Sequence, residues 1–375
     1  MTILTPKTEA ELAEVIAGTQ GPICVRGGGT RPGGHVEAET VLQTAALSGI
    51  TLYEPGALTL VVQAGTPLQD IEKQLTDEKQ RLAFEPIDYR GLMGTSGQST
   101  IGGVMATNTS GPRRIQAGAA RDFALGVRFV DGTGTVVKNG GRVMKNVTGY
   151  DLVKLLCGSW GTLGVLSEVS LKVQPIPDTS ACILINGLTN QQAVDAMSKA
   201  LGSPFEVTGA AHAPEGVDGH PVTMLRIEGF EKSVSYRAAQ LKDLFGAYDV
   251  SIETTPEKLS AGWKWVRDVE LMHGLSGDVW RISCKPSDGP ELAARLKADK
   301  TLFDWGGGLI WALLPEGTDA RARLGEFAGH ATRVRGAPLT NIPMFHPEPA
   351  ALATLSKSLR LKFDPHGYLN PGIMD

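Results

Sequence analysis

Cysteine is scarce in this chain: 4 in 375 residues, at Cys24, Cys157, Cys182 and Cys284, with no C-x-x-C pair. That spacing encodes neither an iron–sulfur cluster nor a structural zinc, and it suits thiols kept reduced inside a cell. No metal site is assigned. Aromatics make up only 6%, and neither charge sign is in excess: Lys+Arg 36 against Asp+Glu 40, a net charge of −4. That balance excludes a surface that coats nucleic acid. No stretch approaches the ~18 apolar residues of a membrane span, and no basic segment followed by an apolar run opens the chain. The expectation is a soluble, cytoplasmic protein, with peripheral attachment to the inner face of the cell membrane through a partner left open. At roughly 150 residues per domain, two or three domains and a large core are expected without a disulfide or metal staple.

Glycine, by contrast, is in excess: 46 residues, or about 12% of the chain, against about 7% in average usage. Residues 1–177 hold 26 of them, and three stretches (26–34, 91–111 and 157–165) concentrate 14. Glycine is needed where φ is positive or where a ligand must approach bare peptide N–H groups, because a Cβ blocks both. Three such loops in one region point to a large anionic ligand.

Pro22-Ile23-Cys24-Val25 reads as a short strand running into Arg26-Gly27-Gly28-Gly29-Thr30-Arg31. A Rossmann or Walker loop would open a helix here, but residues 32–40 contain Pro and two Gly without an apolar period, and neither motif is present at this loop. Upstream, Thr8 and Glu11 have capping-box spacing. Further on, a strand over 58–64 precedes a helix with Thr66 as N-cap, Pro67 at its first position, and Leu68, Ile71 and Leu75 on one face. Residues 99–108 are small, polar and glycine-paired throughout, and read as a loop. A hairpin over 127–137, a short helix over 150–156 and an alternating strand over 165–173 follow, and Pro175 and Pro177 end the region.

From about 178 strands alternate with helices: strands at 182–185, 222–228, 250–252, 279–284 and 309–314, helices at 190–201, 231–245, 291–299 and 319–328. Half-polar strands separated by helices suit an α+β domain whose antiparallel sheet carries helices on one face. The last stretch, residues 363–372, is turn chemistry and reads as a tail returning to a binding site.

Several motifs occur in one order: residues 25–29, Ile101-Gly102-Gly103, Arg121-Asp122-Phe123, Val147-Thr148-Gly149-Tyr150-Asp151, residues 158–165, and Phe363-Asp364-Pro365 with Asn370-Pro371-Gly372. That order resembles the vanillyl-alcohol-oxidase-type (PCMH-type) FAD-binding family. Gly111-Pro112-Arg113-Arg114, residues 141–146, Trp280-Arg281-Ile282-Ser283, Asp304-Trp305-Gly306-Gly307 and residues 329–333 resemble, within it, flavoprotein subunits of bacterial glycolate oxidase. The resemblance spans nearly the whole chain. It implies an α+β protein with a two-part PCMH-type FAD-binding domain (1–177), an α+β cap domain for substrate or subunit contact (178–338), and a C-terminal tail (339–375) packing back near the FAD site.

Arg26, Gly27, Gly28, Gly29, Thr30 and Arg31 would then wrap the pyrophosphate. The resemblance places Thr100, Ile101, Gly102, Gly103, Asn108, Ser110 and Gly111 along the pyrophosphate and flavin, and Gly161, Thr162, Gly164 and Val165 beside the adenosine half. Some members tether the flavin through a His after the first glycines. Thr30 occupies that position here and His35 lies too far along, so the resemblance implies non-covalent FAD.

It further implies a complex with a sister FAD subunit and an iron–sulfur subunit, in which glycolate is oxidised to glyoxylate and electrons pass to the iron–sulfur subunit. A non-catalytic flavin-fold assembly subunit and a stand-alone FAD-dependent 2-hydroxy-acid dehydrogenase are the alternatives. Sister flavoproteins carry a His-rich metal motif near Gly-Asp-Gly; this chain has only Asp218-Gly219-His220. No catalytic residue is assigned. His330 with Arg333, and Arg281 as a further cation, are the candidates for handling a 2-hydroxy acid, against a structural or partner-contact role. Trp263, Trp265, Trp280, Trp305 and Trp311 are read as core or interface rather than a flavin stack.

Overall fold

The first helix, Glu9–Ala17, starts where the sequence predicts, with Thr8 Oγ1 accepting from Glu11 N at 3.1 Å. The Glu11 carboxylate, however, accepts from Lys7 N at 2.8 Å rather than closing the box on Thr8. The structure, a computed structural model, describes residues 2–31, 34, 36–142, 149–336 and 342–374. His35, residues 143–148 of two motifs and residues 339–341 of the tail lie outside it.

The strands are β1 (Thr2–Leu4), β2 (Ile23–Arg26), β3 (Thr40–Gln43), β4 (Ile50–Glu54), β5 (Thr59–Gln63), β6 (Gln80–Arg81), β7 (Ala124–Val130), β8 (Val136–Gly140), β9 (Val165–Lys172) and β10 (Gln174–Pro175). β1, β3 and β2 form a parallel sheet in that order, while β4-β5-β9-β7-β8 form an antiparallel one. The expected hairpin is β7–β8, its turn held by Asp131 Oδ1, which accepts from Thr133 N and Thr135 N. In β9 the sequence alternates apolar with polar, yet Ser167 and Ser170 are buried too. The cause is its central place: one face meets the helix Leu68–Asp77 and its neighbours, the other the first helix. Ser167 Oγ is satisfied there by Glu9 Oε1 at 2.6 Å.

The rest of the chain adds β11 (Thr179–Asn186), β12 (Val207–Ala213), β13 (Val222–Gly229), β14 (Asp249–Glu253), β15 (Asp278–Cys284), β16 (Lys300–Asp304), β17 (Leu309–Leu314) and β18 (Gly329–Arg335). They form one antiparallel sheet ordered β14-β11-β13-β12-β16-β17-β15-β18. One face is covered by the helices Asn190–Leu201, Glu231–Leu244 and Gly289–Leu296. The other packs Trp311, Leu309 and Val279 against Ile87, Tyr89 and Leu92 of the first region, so this face looks toward the glycine loops. The sequence reading missed β12, β16, β18 and the helices Pro256–Arg267 and Ala350–Phe363 of this part of the chain. β12 reads VTGAAHA and is buried along its whole length, which removes any alternation.

A charged junction ties the sheet to the first region. Glu228 on β13 accepts from Arg113 at 2.8 and 2.6 Å and from Arg81 at 2.8 Å, while Glu85 accepts from Arg226 at 2.9 Å through both oxygens. The surrounding guanidiniums hold both buried carboxyls below the usual range against the opposing effect of burial. Finally, the end of the chain meets β2: Ile23 N donates to Tyr368 O, Asn370 N to Ile23 O, and Val25 N to Asn370 Oδ1. Among the described residues no helix is long and apolar enough to cross a membrane.

Candidate active site

The glycine loop leaving β2, the turn before β9 and the returning tail enclose a cavity of about 510 Å3. Of the residues singled out in the sequence, Arg26 to Arg31, Thr100, Gly102, Gly103, Gly161, Gly164 and Val165 line it. Among the described residues its wall carries two arginines and no carboxylate. The N–H groups of Gly28, Gly29, Thr30 and Arg31 donate to no acceptor among those residues. Four successive unsatisfied donors at a cavity wall form a cradle for anionic oxygens. A dinucleotide pyrophosphate fits that donor set.

Arg31 completes it. Its guanidinium lies 4.3 Å from the Tyr89 ring centroid and 4.5 Å from that of Trp160, and both rings line the cavity. Nη1 donates to Thr109 Oγ1 at 3.3 Å, but the buried Nε has no partner. Burial pushes its pKa below the ordinary arginine value. A buried cation with an orphan donor and no counter-charge is a place for an anion.

The stretch read as a loop over 99–108 is in fact a helix, Ile101–Ala106, because Thr100 Oγ1 caps it by accepting from Gly103 N at 3.3 Å. Its amides are largely engaged: Ile101 N donates to Thr66 O and Gly102 N to Ala64 O. Gly103 lines the cavity, and a Cβ there would meet only one atom, Thr100 Oγ1, at a tight 3.3 Å. Gly28 is different. A Cβ on it would come within 1.4 Å of the Gln98 carbonyl oxygen, and one on Gly97 within 1.8 Å of the Gly28 oxygen. These two loops pack backbone on backbone, so Gly28 is demanded by protein contact whatever the cavity holds.

Five of the singled-out residues lie outside the cavity wall. Ile101 points into the core. Thr162 Oγ1 donates to Ser159 O at 2.7 Å. Asn108 Oδ1 accepts from Arg121 N, Ser110 Oγ from Ala120 N, and the Gly111 carbonyl from Trp305 Nε1 at 3.1 Å. Tyr89, Trp160, Thr109, Asn370 and Ile373 line the wall without having been singled out as site residues. Asn370 had a signal, the closing Asn-Pro-Gly turn; it also donates through Nδ2 to Trp160 O at 2.8 Å.

On the facing sheet, His330 and Arg333 do not form a pair. Strand alternation puts residues three apart on opposite faces. Ala331 and Ile282 pair on the helix-covered side, so His330 and Arg281 point toward the first region, and Arg333 lies with Trp280 beside Asp278 at 4.0 Å. His330 is exposed to solvent. Surrounding protein, then the neighbouring Arg281, His346 and Arg114, lower its pKa. Arg281 is lowered to about 10, by burial first, and Tyr89 acts on both Arg281 and Arg31. Trp263, Trp280 and Trp311 are buried as expected. Among the described residues no group of His, Cys, Asp and Glu is arranged to hold a metal ion.

Comparison with known proteins adds identity to this geometry. Residues 2–140 match a family described as an FAD binding domain. The chain is 34% identical over 357 residues to the glycolate oxidase subunit GlcE of Escherichia coli (strain K12), covering 94% of this chain and 92% of that one. It is 28% identical to the glycolate oxidase subunit GlcD of Bacillus subtilis (strain 168), over 69% of this chain and 54% of that one. Its fold is that of an alkyldihydroxyacetonephosphate synthase structure, with a TM-score of 0.73 at 19% identity over 98% of this chain and 75% of the other.

Proposed function

The chain belongs to the family of FAD-dependent oxidoreductases acting on 2-hydroxy acids, the family of the glycolate oxidase subunit it resembles along nearly its whole length, and from that premise we propose that it is the FAD-binding subunit of a glycolate oxidase assembly. In this reading it takes part in oxidising glycolate to glyoxylate beside a sister flavoprotein subunit, and the electrons leave through an iron–sulfur subunit. The observation that carries it is the carboxylate-free cavity, with its unsatisfied N–H cradle and orphaned Arg31 Nε, placed opposite a sheet face that presents Arg281 and His330.

FAD, bound there without a covalent tether, supplies the acceptor for the hydride on C2. The chain's residues do the rest. Gly28 to Arg31 hold the phosphates, and Tyr89 and Trp160 fix the Arg31 guanidinium. A neutral imidazole is what a general base must offer, and the surrounding protein, then the neighbouring Arg281 and Arg114, shift His330 toward that form. The balance is one hydride from C2, carrying both electrons, and one proton from the hydroxyl to the base, leaving glyoxylate. Purified alone, the chain should show a flavin spectrum that glycolate bleaches in the absence of oxygen. A yellow protein that stays yellow with glycolate, alone and with the sister subunit added, would overturn the assignment of the reaction.

A further inference from the structure

Trp305, which follows β16, is fixed by its Nε1 hydrogen bond to the Gly111 carbonyl at 3.1 Å. Two guanidiniums lie against this one indole: Arg114 at 4.5 Å and Arg281 at 4.9 Å from the ring centroid. They come from different parts of the chain, Arg114 from the segment after the glycine loops and Arg281 from β15. Both are half-buried, yet among the described residues neither has a hydrogen-bond acceptor or an ion-pair partner. Arg113, Arg226 and Arg267, comparably enclosed, each hold a carboxylate. Like charges so close on one ring repel, and no carboxylate pairs with either. Each guanidinium keeps its planar fork of N–H donors free, and that fork matches a carboxylate. His330 feels both arginines, and Arg281 in turn feels Tyr89 and Arg31 of the cavity wall.

We propose that Arg114 and Arg281, spread on Trp305, form a carboxylate-binding site at the seam between the first region and the sheet, and that it receives the carboxylate of the 2-hydroxy acid. The inference rests on the proposed function for the identity of the ligand, while the site itself stands on the two unpaired guanidiniums. Arg114 thereby becomes a substrate-binding residue, and an anion in the site joins the two parts of the chain.

Oxalate, a carboxylate with no C–H to oxidise, is the probe. Titrated into the full chain at constant ionic strength, it should change the tryptophan fluorescence saturably, and Arg114→Gln and Arg281→Gln should each weaken its binding about tenfold or more. Arg281→Lys keeps the charge without the fork and should recover part of the loss. Arg295→Gln, on an exposed helix face, should leave the titration unchanged. If both glutamine variants retain their far-UV circular dichroism and bind oxalate like the parent, the site is refuted. A chain that binds oxalate through these arginines but is not bleached by glycolate keeps the site and refutes the reaction.

Discussion

Asp304 shows how far a single residue can depart from its sequence reading. It is 3% exposed, and burial pushes its carboxyl up to about 7, although its Oδ1 accepts from Trp305 N at 2.7 Å. In the unfolded chain an aspartate titrates near ~3.9. Between those values the fold holds a proton that the unfolded chain has released, so this group's contribution to stability falls as pH rises from about 4 to about 7. His212, buried and held down to about 4, acts in the opposite sense, losing stability as pH falls below ~6.5. The two nearly offset each other in the parent. Asp304→Asn removes one arm, so its unfolding free energy from urea titration should climb more steeply between about pH 4 and 6.5 than the parent's, by up to ~1.4 kcal/mol per pH unit. Parallel profiles would contradict the shift. None of this is visible in the motif Asp304-Trp305-Gly306-Gly307, because desolvation is a property of neighbours brought from elsewhere in the chain. The same holds for Tyr89 and Trp160, which meet only through Arg31.

At the scale of elements, the sequence was most informative where local chemistry decides. The β7–β8 hairpin, the tail turn and the buried stripe Leu68, Ile71, Leu75 follow from spacing alone. It was silent where tertiary covering decides, as in β12, and misleading where two periods compete. His330 and Arg333 look like neighbours at helical spacing, but β18 is a strand and turns them apart. The junction of β13 with residues 81–113 is another product of assembly. Glu228 is 6% exposed on its side chain and faces Arg113, Arg81 and Arg226. Glu228→Gln would leave three guanidiniums around the single Glu85, and breaking such a buried network costs about 3–5 kcal/mol. Urea unfolding should show a loss of that order, against less than about 0.5 kcal/mol for Glu291→Gln in the exposed pair with Arg295. Equal effects of the two would show that the junction does not bear on stability.

Across the whole molecule, glycine loops on one side and a sheet on the other each present cations, Arg26 and Arg31 on the cavity wall and Arg281 on the facing sheet, and among the described residues no carboxylate lines that cavity. The glycine excess was a sound guide to the region of the cavity, but not to what each glycine does there, since a Cβ on Gly28 would meet the Gln98 backbone whereas one on Gly103 would meet only the Thr100 hydroxyl. The arrangement suits a large anion, and the central claim is that this anion is non-covalent FAD. The most direct check is to saturate the full chain with FAD, remove the excess, precipitate the protein with acid, and count flavin in supernatant and pellet for the parent and for Gly103→Val. The structure predicts one FAD per parent chain, all of it in the supernatant, and a Gly103→Val chain that keeps its fold by circular dichroism but loses the flavin. A parent chain that retains no FAD, or a folded Gly103→Val chain that holds it as well as the parent does, would contradict the assignment of this cavity.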